Sequence, residues 1–229
     1  MKVEILFPEV CSLFGDYGNI IFLEENLGKE NVYKTSLNQT PRFVSEEIDL
    51  IYMGAMSEKT QIEVLNILSK HKEVLKDKIE QGLKVLFTGN ANDLLGQKII
   101  EEDKSEIEGL ALFEFETVLK RSPRLNDTIL GKTKDGFEIL GHKTQFTQSF
   151  GDNTKNYFCE TEIGMGMNKK SKLEGVRYKG VVGTNLTGPL LILNPDFAQK
   201  YLEIEIKHYD QLLQAKHTKI EDIKRYYRS

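Results

Sequence analysis

The chain is poor in cysteine, in long apolar runs and in any excess of one charge, and each scarcity excludes a class of protein. Two cysteines in 229 residues, Cys11 and Cys159, are too few and too isolated for a disulfide framework or a paired-cysteine metal site. Buried free thiols, and no metal or other cofactor, are the expectation. No apolar stretch reaches the roughly 18 residues that cross a bilayer, so no membrane insertion is expected. The N-terminus, Met1-Lys2-Val3-Glu4-Ile5-Leu6-Phe7-Pro8, reads as a strand followed by proline rather than as a signal peptide, and a cytoplasmic location is the expectation. Lys plus Arg number 31 against 35 Asp plus Glu, a net charge of −4 with both signs interspersed. That balance argues against a nucleic-acid or membrane-surface partner. No Pro/Ser-rich linker, internal repeat or low-complexity segment divides the chain, and its length suits one α/β domain with a sizeable core.

What is present is an alternation of strand and helix signals through the first hundred residues. Residues 3–7 read as a buried strand, and residues 18–28 as a helix with Ile20, Leu23 and Leu27 on one face and Gly28 as its stop. Residues 31–34 and 48–54 read as further strands. Ser57 then offers an N-cap, and an amphipathic helix is expected over about 58–81, its lysines on a solvated face. Residues 82–96 follow as a strand, a tight turn through small residues and a helix start. Strand, sharp turn and helix is the shape of a nucleophile elbow, but the apex, Gly89, has no side chain to present. Such alternation predicts a parallel sheet with helices on both sides, whose ligands bind outside the carboxyl ends of the strands. The loops 11–18, 54–57 and 89–92 all follow strands and should meet at one rim.

Beyond Ile100 the signals shorten. Strand-like runs at 111–118, 137–141, 156–159 and 176–183 are separated by turn residues, a loop at 184–189 enters an apolar segment, and a helical region runs from Pro195 to about His217. The basic, aromatic tail 219–229 reads as a solvated terminus, with a docking surface as the alternative. These signals divide the chain into a domain at 1–205 and a C-terminal helical tail at 206–229.

Four segments then carry a resemblance. Leu13-Phe14-Gly15-Asp16-Tyr17-Gly18-Asn19, Gly54-Ala55-Met56-Ser57-Glu58-Lys59-Thr60-Gln61, Ser122-Pro123-Arg124-Leu125-Asn126-Asp127 and Gly183-Thr184-Asn185-Leu186-Thr187-Gly188-Pro189-Leu190 stand in family order and spacing. Together they resemble the class I glutamine amidotransferases of the cobyric acid synthase (CobB/CobQ-like) type, and most of all the glutaminase subunits that partner a Mur-ligase-like protein in lipid II amidation. The resemblance implies a flavodoxin-like α/β fold with a mostly parallel central sheet flanked by helices. It also implies a Mur-ligase-like synthetase partner and a substrate pocket in which Arg124 grips glutamine and the Gly54 loop stabilises an oxyanion.

The departures bear on activity. Gly89 stands where the family carries its cysteine nucleophile and Thr187 where it carries its histidine base, while Ala55 and Met56 replace glycines of the oxyanion loop. Glutamine hydrolysis needs a thiolate, a base and preorganised amides. Losing a nucleophile or base in such a unit removes about 10⁴ to 10⁶ in turnover. The expectation is a glutamine amidotransferase-like subunit without glutaminase activity and without catalytic residues. The alternatives are a module sensing glutamine or another small amino acid through Arg124, or an enzyme with different chemistry at the same rim. A relocated pair, Cys11 with His142, is conceivable, but nothing in the spacing supports it. Arg124 could equally be a surface arginine in a turn; His71, His208 and His217 read as surface histidines, and Gly164-Met165-Gly166 as a turn, not a phosphate loop.

Overall fold

The computed structural model describes residues 1–228; Ser229 of the expected tail lies outside them. The first half of the chain alternates as the pattern predicts: β1 (Val3–Leu6), α1 (Tyr17–Leu27), β2 (Val32–Thr35), β3 (Leu50–Met53), α2 (Glu58–Leu68), α3 (Lys72–Glu80) and β4 (Lys84–Thr88). Strands β5 (Lys98–Ile100), β6 (Glu106–Glu108), β7 (Phe115–Leu119), β8 (Leu125–Lys132), β9 (Glu138–Gln145), β10 (Thr147–Gly151), β11 (Cys159–Ile163), β12 (Leu173–Glu174), β13 (Val176–Tyr178) and β14 (Val181–Thr184) follow. The chain closes with α4 (Leu190–Leu193), α5 (Pro195–Leu202) and α6 (Tyr209–Arg228).

Six strands form the central sheet in the order β13-β14-β4-β3-β1-β2, parallel except for the edge hairpin β13–β14. The pleat sends alternate side chains to opposite faces. Val3, Ile5, Leu50, Tyr52, Leu86 and Val182 pack on one face with α1, α4 and α5. Leu6, Ile51, Met53, Val85, Phe87 and Val181 pack on the other with α2 and α3. Each fully buried aliphatic or aromatic side chain contributes about 1.5–3 kcal/mol, so two such faces hold the layers without disulfides; both cysteines are indeed free and buried. Two smaller four-stranded sheets, β10-β7-β5-β6 and β12-β11-β8-β9, are built from the second half.

Several elements depart from the sequence reading. The expected helix over 58–81 is interrupted at Ser69–His71 by a 3₁₀ turn. Its buried positions run Gln61, Val64, Leu65 and Leu68, then jump to Leu75 and Ile79; the polar stretch between supplies nothing to hold a continuous helix on the sheet. No α-helix follows β4: residues Gly89–Leu95 form 3₁₀ turns, because the buried Asn92 and Asp93 side chains bond to Asn185 across the sheet. The run 111–118 becomes a strand only from Phe115, after Ala111 adopts φ +49°. The run 156–159 joins β11 only at Cys159, and 176–183 is a hairpin turning at Lys179 and Gly180. Strands β8 and β10 carry no clear alternation and escaped notice. The terminal helix runs to Arg228 rather than fraying near 217: Lys216 is buried and donates to the Glu138 carbonyl and the Asp196 carboxylate, both at 2.6 Å, while Ile220 packs on Leu130 and Leu140.

Lys143 on β9 and Glu174 on β12 form a fully buried ion pair at 2.5 Å. Lys143 also donates to the Gly166 carbonyl, and the free Glu174 oxygen accepts from the Thr184 hydroxyl and the Asn185 amide, each at 2.8 Å. The pair therefore fastens a small sheet to the end of β14, where the site begins. Breaking one partner strands a buried charge, so Lys143→Met is expected to destabilise the chain by about 3–5 kcal/mol in urea denaturation. Lys143→Met with Glu174→Gln should cost less than Lys143→Met alone.

Candidate functional site

The three strand-end loops do meet at one rim, and hydrogen bonds explain how. The Leu13 amide donates to the Ala55 carbonyl at 3.0 Å, and Asp16 Oδ2 accepts from the Ala55 amide at 2.6 Å and the Thr88 hydroxyl at 2.8 Å. The Met56 amide donates to Asn90 Oδ1 at 2.9 Å while Asn90 Nδ2 returns to the Met56 carbonyl at 3.0 Å. The Gln61 amide reaches the Asn90 carbonyl at 2.7 Å. Both amides after Gly54 are thus held by side chains of the chain itself. Gly54 lies beneath the rim, where a Cβ would meet the Cys11 carbonyl at 2.7 Å and Asp16 Oδ2 at 2.8 Å.

Gly89 keeps the backbone of an elbow, with φ +60°, a conformation that glycine adopts at least cost. A Cβ at this position would lie 2.6 Å from Ala55 Cβ and 3.1 Å from Thr187 Cγ2. The methyl of residue 55 therefore fills the space a side chain at residue 89 would need. Thr187 is fixed against β9, donating from both its amide (2.8 Å) and its hydroxyl (3.1 Å) to the His142 carbonyl. What remains is a cavity of about 20 Å³, bounded by Ala55, Met56, Gly89, Asn90, Gln145, Thr147, Asn185 and Thr187, with Phe14, Glu58 and Arg124 on its outer side. That is room for about one water-sized molecule.

The structure brings Gly89, Thr187 and Arg124 together around this cavity. Arg124 is exposed and lies over the Phe146 ring at 4.2 Å and the Phe14 ring at 5.4 Å, with no acidic partner among the described residues. Cys11 and His142 do not form a catalytic pair. Cys11 is buried with its thiol on Met56 Sδ at 3.7 Å, and burial pushes that thiol well up from its ordinary range; His142 is exposed on β9. His208 and His217 are exposed and His71 half-buried, and Gly164 turns the chain at φ +86° with no helix following. Sequence reasoning missed the roles of Asp16, Gln145, Thr147 and Asn185. Asp16 and Asn185 stood inside the first and fourth quoted segments, but Gln145 and Thr147 carried no local signal, since only the pairing of β9 with β8 and of β10 with β7 brings them to the rim.

Burial raises two carboxyls here. Asp16 is pushed up to about 7 against the hydrogen bonds from Ala55 and Thr88, and Asp93 to about 6 against its bond from Asn185.

A family model described as the CobB/CobQ-like glutamine amidotransferase domain matches residues 2–194. The chain belongs to that family. It is 32% identical over 209 residues to the lipid II isoglutaminyl synthase (glutamine-hydrolyzing) subunit GatD of Staphylococcus aureus, covering 89% of this chain and 83% of the relative. Identity to the subunit of the same name from Streptococcus pneumoniae is 26% over 212 residues, covering 90% and 81%. A solved glutamine amidotransferase superposes with a TM-score of 0.55 at 12% identity, over 89% of this chain and 98% of that one, a likeness of fold. The CobB/CobQ-like match ends just before α5, so α5 and α6 lie beyond the matched segment.

Two outcomes are expected. Gly89→Cys alone should destabilise the chain, through both the strained φ and the Ala55 contact, and adding Ala55→Gly should recover part of the loss in thermal or urea unfolding. Because the folded pKa of Asp16 lies above its ordinary 3.8, the native state binds the extra proton between about pH 4 and 7. Its stabilising contribution is complete below that window and is lost as pH rises through 7. Relative to Asp16→Asn, the parent chain should therefore lose stability between pH 4.5 and 7.5.

Proposed function

We propose that this chain is a non-hydrolysing glutamine amidotransferase-like subunit that binds and shapes an ATP-dependent, Mur-ligase-like synthetase in cytoplasmic cell-wall amidation. The observation that carries the reading is the occupied space at the elbow: residue 89 has no side chain, and the Ala55 methyl stands 2.6 Å from where its Cβ would be. A threonine at 187 holds a β9 carbonyl and supplies no titrating base near neutrality. The amides of Ala55 and Met56, which would serve an oxyanion, are spent on Asp16 and Asn90. The relatives named as subunits of a glutamine-hydrolyzing synthase support the assembly half of the proposal.

A surface for such a partner adjoins the site. Leu13, Phe14, Tyr17 and Ile21 are all more than two-fifths exposed at the start of α1. Apolar residues gathered this way on an otherwise charged surface mark interaction sites. A reading as an amino-acid sensor rests on Arg124, whose guanidinium has no acid partner among the described residues and could grip a carboxylate. The chamber at the elbow, at about 20 Å³, leaves no room for a glutamine side chain, so a ligand on Arg124 would have to lie in the open groove of about 610 Å³ that Arg124 also lines.

Ammonia release from glutamine is expected to be absent from the purified chain and to emerge only in the variant combining Ala55→Gly, Gly89→Cys and Thr187→His. Turnover by the parent chain at a rate typical of family enzymes would sink the proposal. Copurification from the native organism should recover a ligase-type protein, and Tyr17→Asp with Leu13→Asp should abolish that recovery while leaving the melting temperature within a few degrees. Calorimetry with glutamine should show no heat; saturable heat lost in Arg124→Ala would favour the sensor.

A further inference from the structure

We propose that the small chamber beside Gly89 binds one ammonium ion. The inference rests on the chamber's own atoms and stands whether or not the chain has a partner. Gln145 is 7% exposed and Thr147 2% exposed, and both line the cavity. Gln145 spends its amide nitrogen on the Thr147 carbonyl at 2.6 Å, leaving Oε1 with no hydrogen-bond partner in the protein. Thr147 Oγ1 likewise has none in good geometry. The Gly89 carbonyl, by contrast, opens the 3₁₀ run Gly89–Leu95 and also takes a bond of 3.4 Å from Asn185. Buried acceptors left unpaired are expensive, so Gln145 Oε1 and Thr147 Oγ1 around one small space call for a ligand that donates in more than one direction.

Size and charge narrow the ligand. A volume of about 20 Å³ admits one non-hydrogen atom with its hydrogens. Behind the wall, buried Asp93 is hydrogen-bonded by Asn185 at 3.0 Å and Gln61 at 3.4 Å, both neutral, and has no ion pair with any described Lys, Arg or His. Its carboxyl also lies close to the Thr147 hydroxyl. On the outer side the cavity is lined by the exposed Arg124 and by Glu58, neither in an ion pair among the described residues. A water and an ammonium ion can each donate to both acceptors, but ammonium also brings the positive charge that the unpaired Asp93 lacks. Above about pH 6 Asp93 is ionised, so the site is competent at neutral pH.

The experiment is thermal unfolding of the full chain at pH 7.5 in ammonium chloride, potassium chloride and sodium chloride at equal ionic strength. A saturable rise of about 2–5 °C in ammonium over sodium is expected. It should persist in Thr147→Ser, which keeps the hydroxyl, and disappear in Thr147→Val and in Gln145→Leu. Proton–nitrogen NMR of the unaltered chain in ¹⁵N-ammonium chloride should show an ammonium signal protected from solvent exchange, a readout that needs no variant to fold. Identical melting in all three salts with no protected signal would overturn the proposal and leave a water in the chamber. An equal rise in potassium would overturn the choice of ammonium in favour of a general monovalent cation site.

Discussion

The carboxylate of Asp16 is the interaction on which the rest of the rim depends. It accepts from the Ala55 amide after β3 and the Thr88 hydroxyl at the end of β4, so one buried group fixes three loops relative to one another. Tyr52 and Asn19 close the network from behind, Asn19 donating to the Tyr52 hydroxyl at 2.9 Å and to the Gly188 carbonyl at 3.2 Å. A buried carboxylate that accepts such bonds is held in one place, and the residues that depend on it inherit that precision. The loop carrying Ala55 is thereby pressed against Gly89, and the pocket that a parallel α/β sheet opens beyond its strand ends is reduced to a chamber.

The second half of the chain contributes through its small sheets rather than through flanking helices. Strand β9 supplies the carbonyl that holds Thr187 and ends at Gln145, and β10 begins at Thr147, so their junction forms one wall. The buried pair of Lys143 and Glu174 ties this wall to Thr184 and Asn185 on the central sheet. Electrostatic and hydrogen-bonded links of this kind fix geometry more than they add net stability.

Much of the fold was legible before any coordinates. Strands β1, β3 and β4 and helix α1 declared themselves through apolar runs and a single-faced helix, signals that burial on both sides produces directly. The positions of Gly89, Thr187 and Arg124 followed from family spacing, and all three line one cavity. What stayed hidden has physical reasons. The break at Ser69–His71 arises because a solvated helix face and a missing apolar turn look alike in sequence. The 3₁₀ path of Gly89–Leu95 is imposed by long-range bonds from Asn92 and Asp93 to Asn185, more than ninety residues away. Gln145 and Thr147 reach the chamber only through strand pairing, and no periodicity announces a polar side chain that will be buried.

The contact between residues 55 and 89 also couples the two positions in any series of substitutions. A methyl and a would-be Cβ claim the same point in space, so the two positions cannot be changed in either order with equal consequence. Any stepwise path toward a side chain at the apex must first clear position 55, and a path that begins at the apex meets a steric toll before any gain. The packing acts as a latch, with position 55 deciding whether position 89 can carry a side chain.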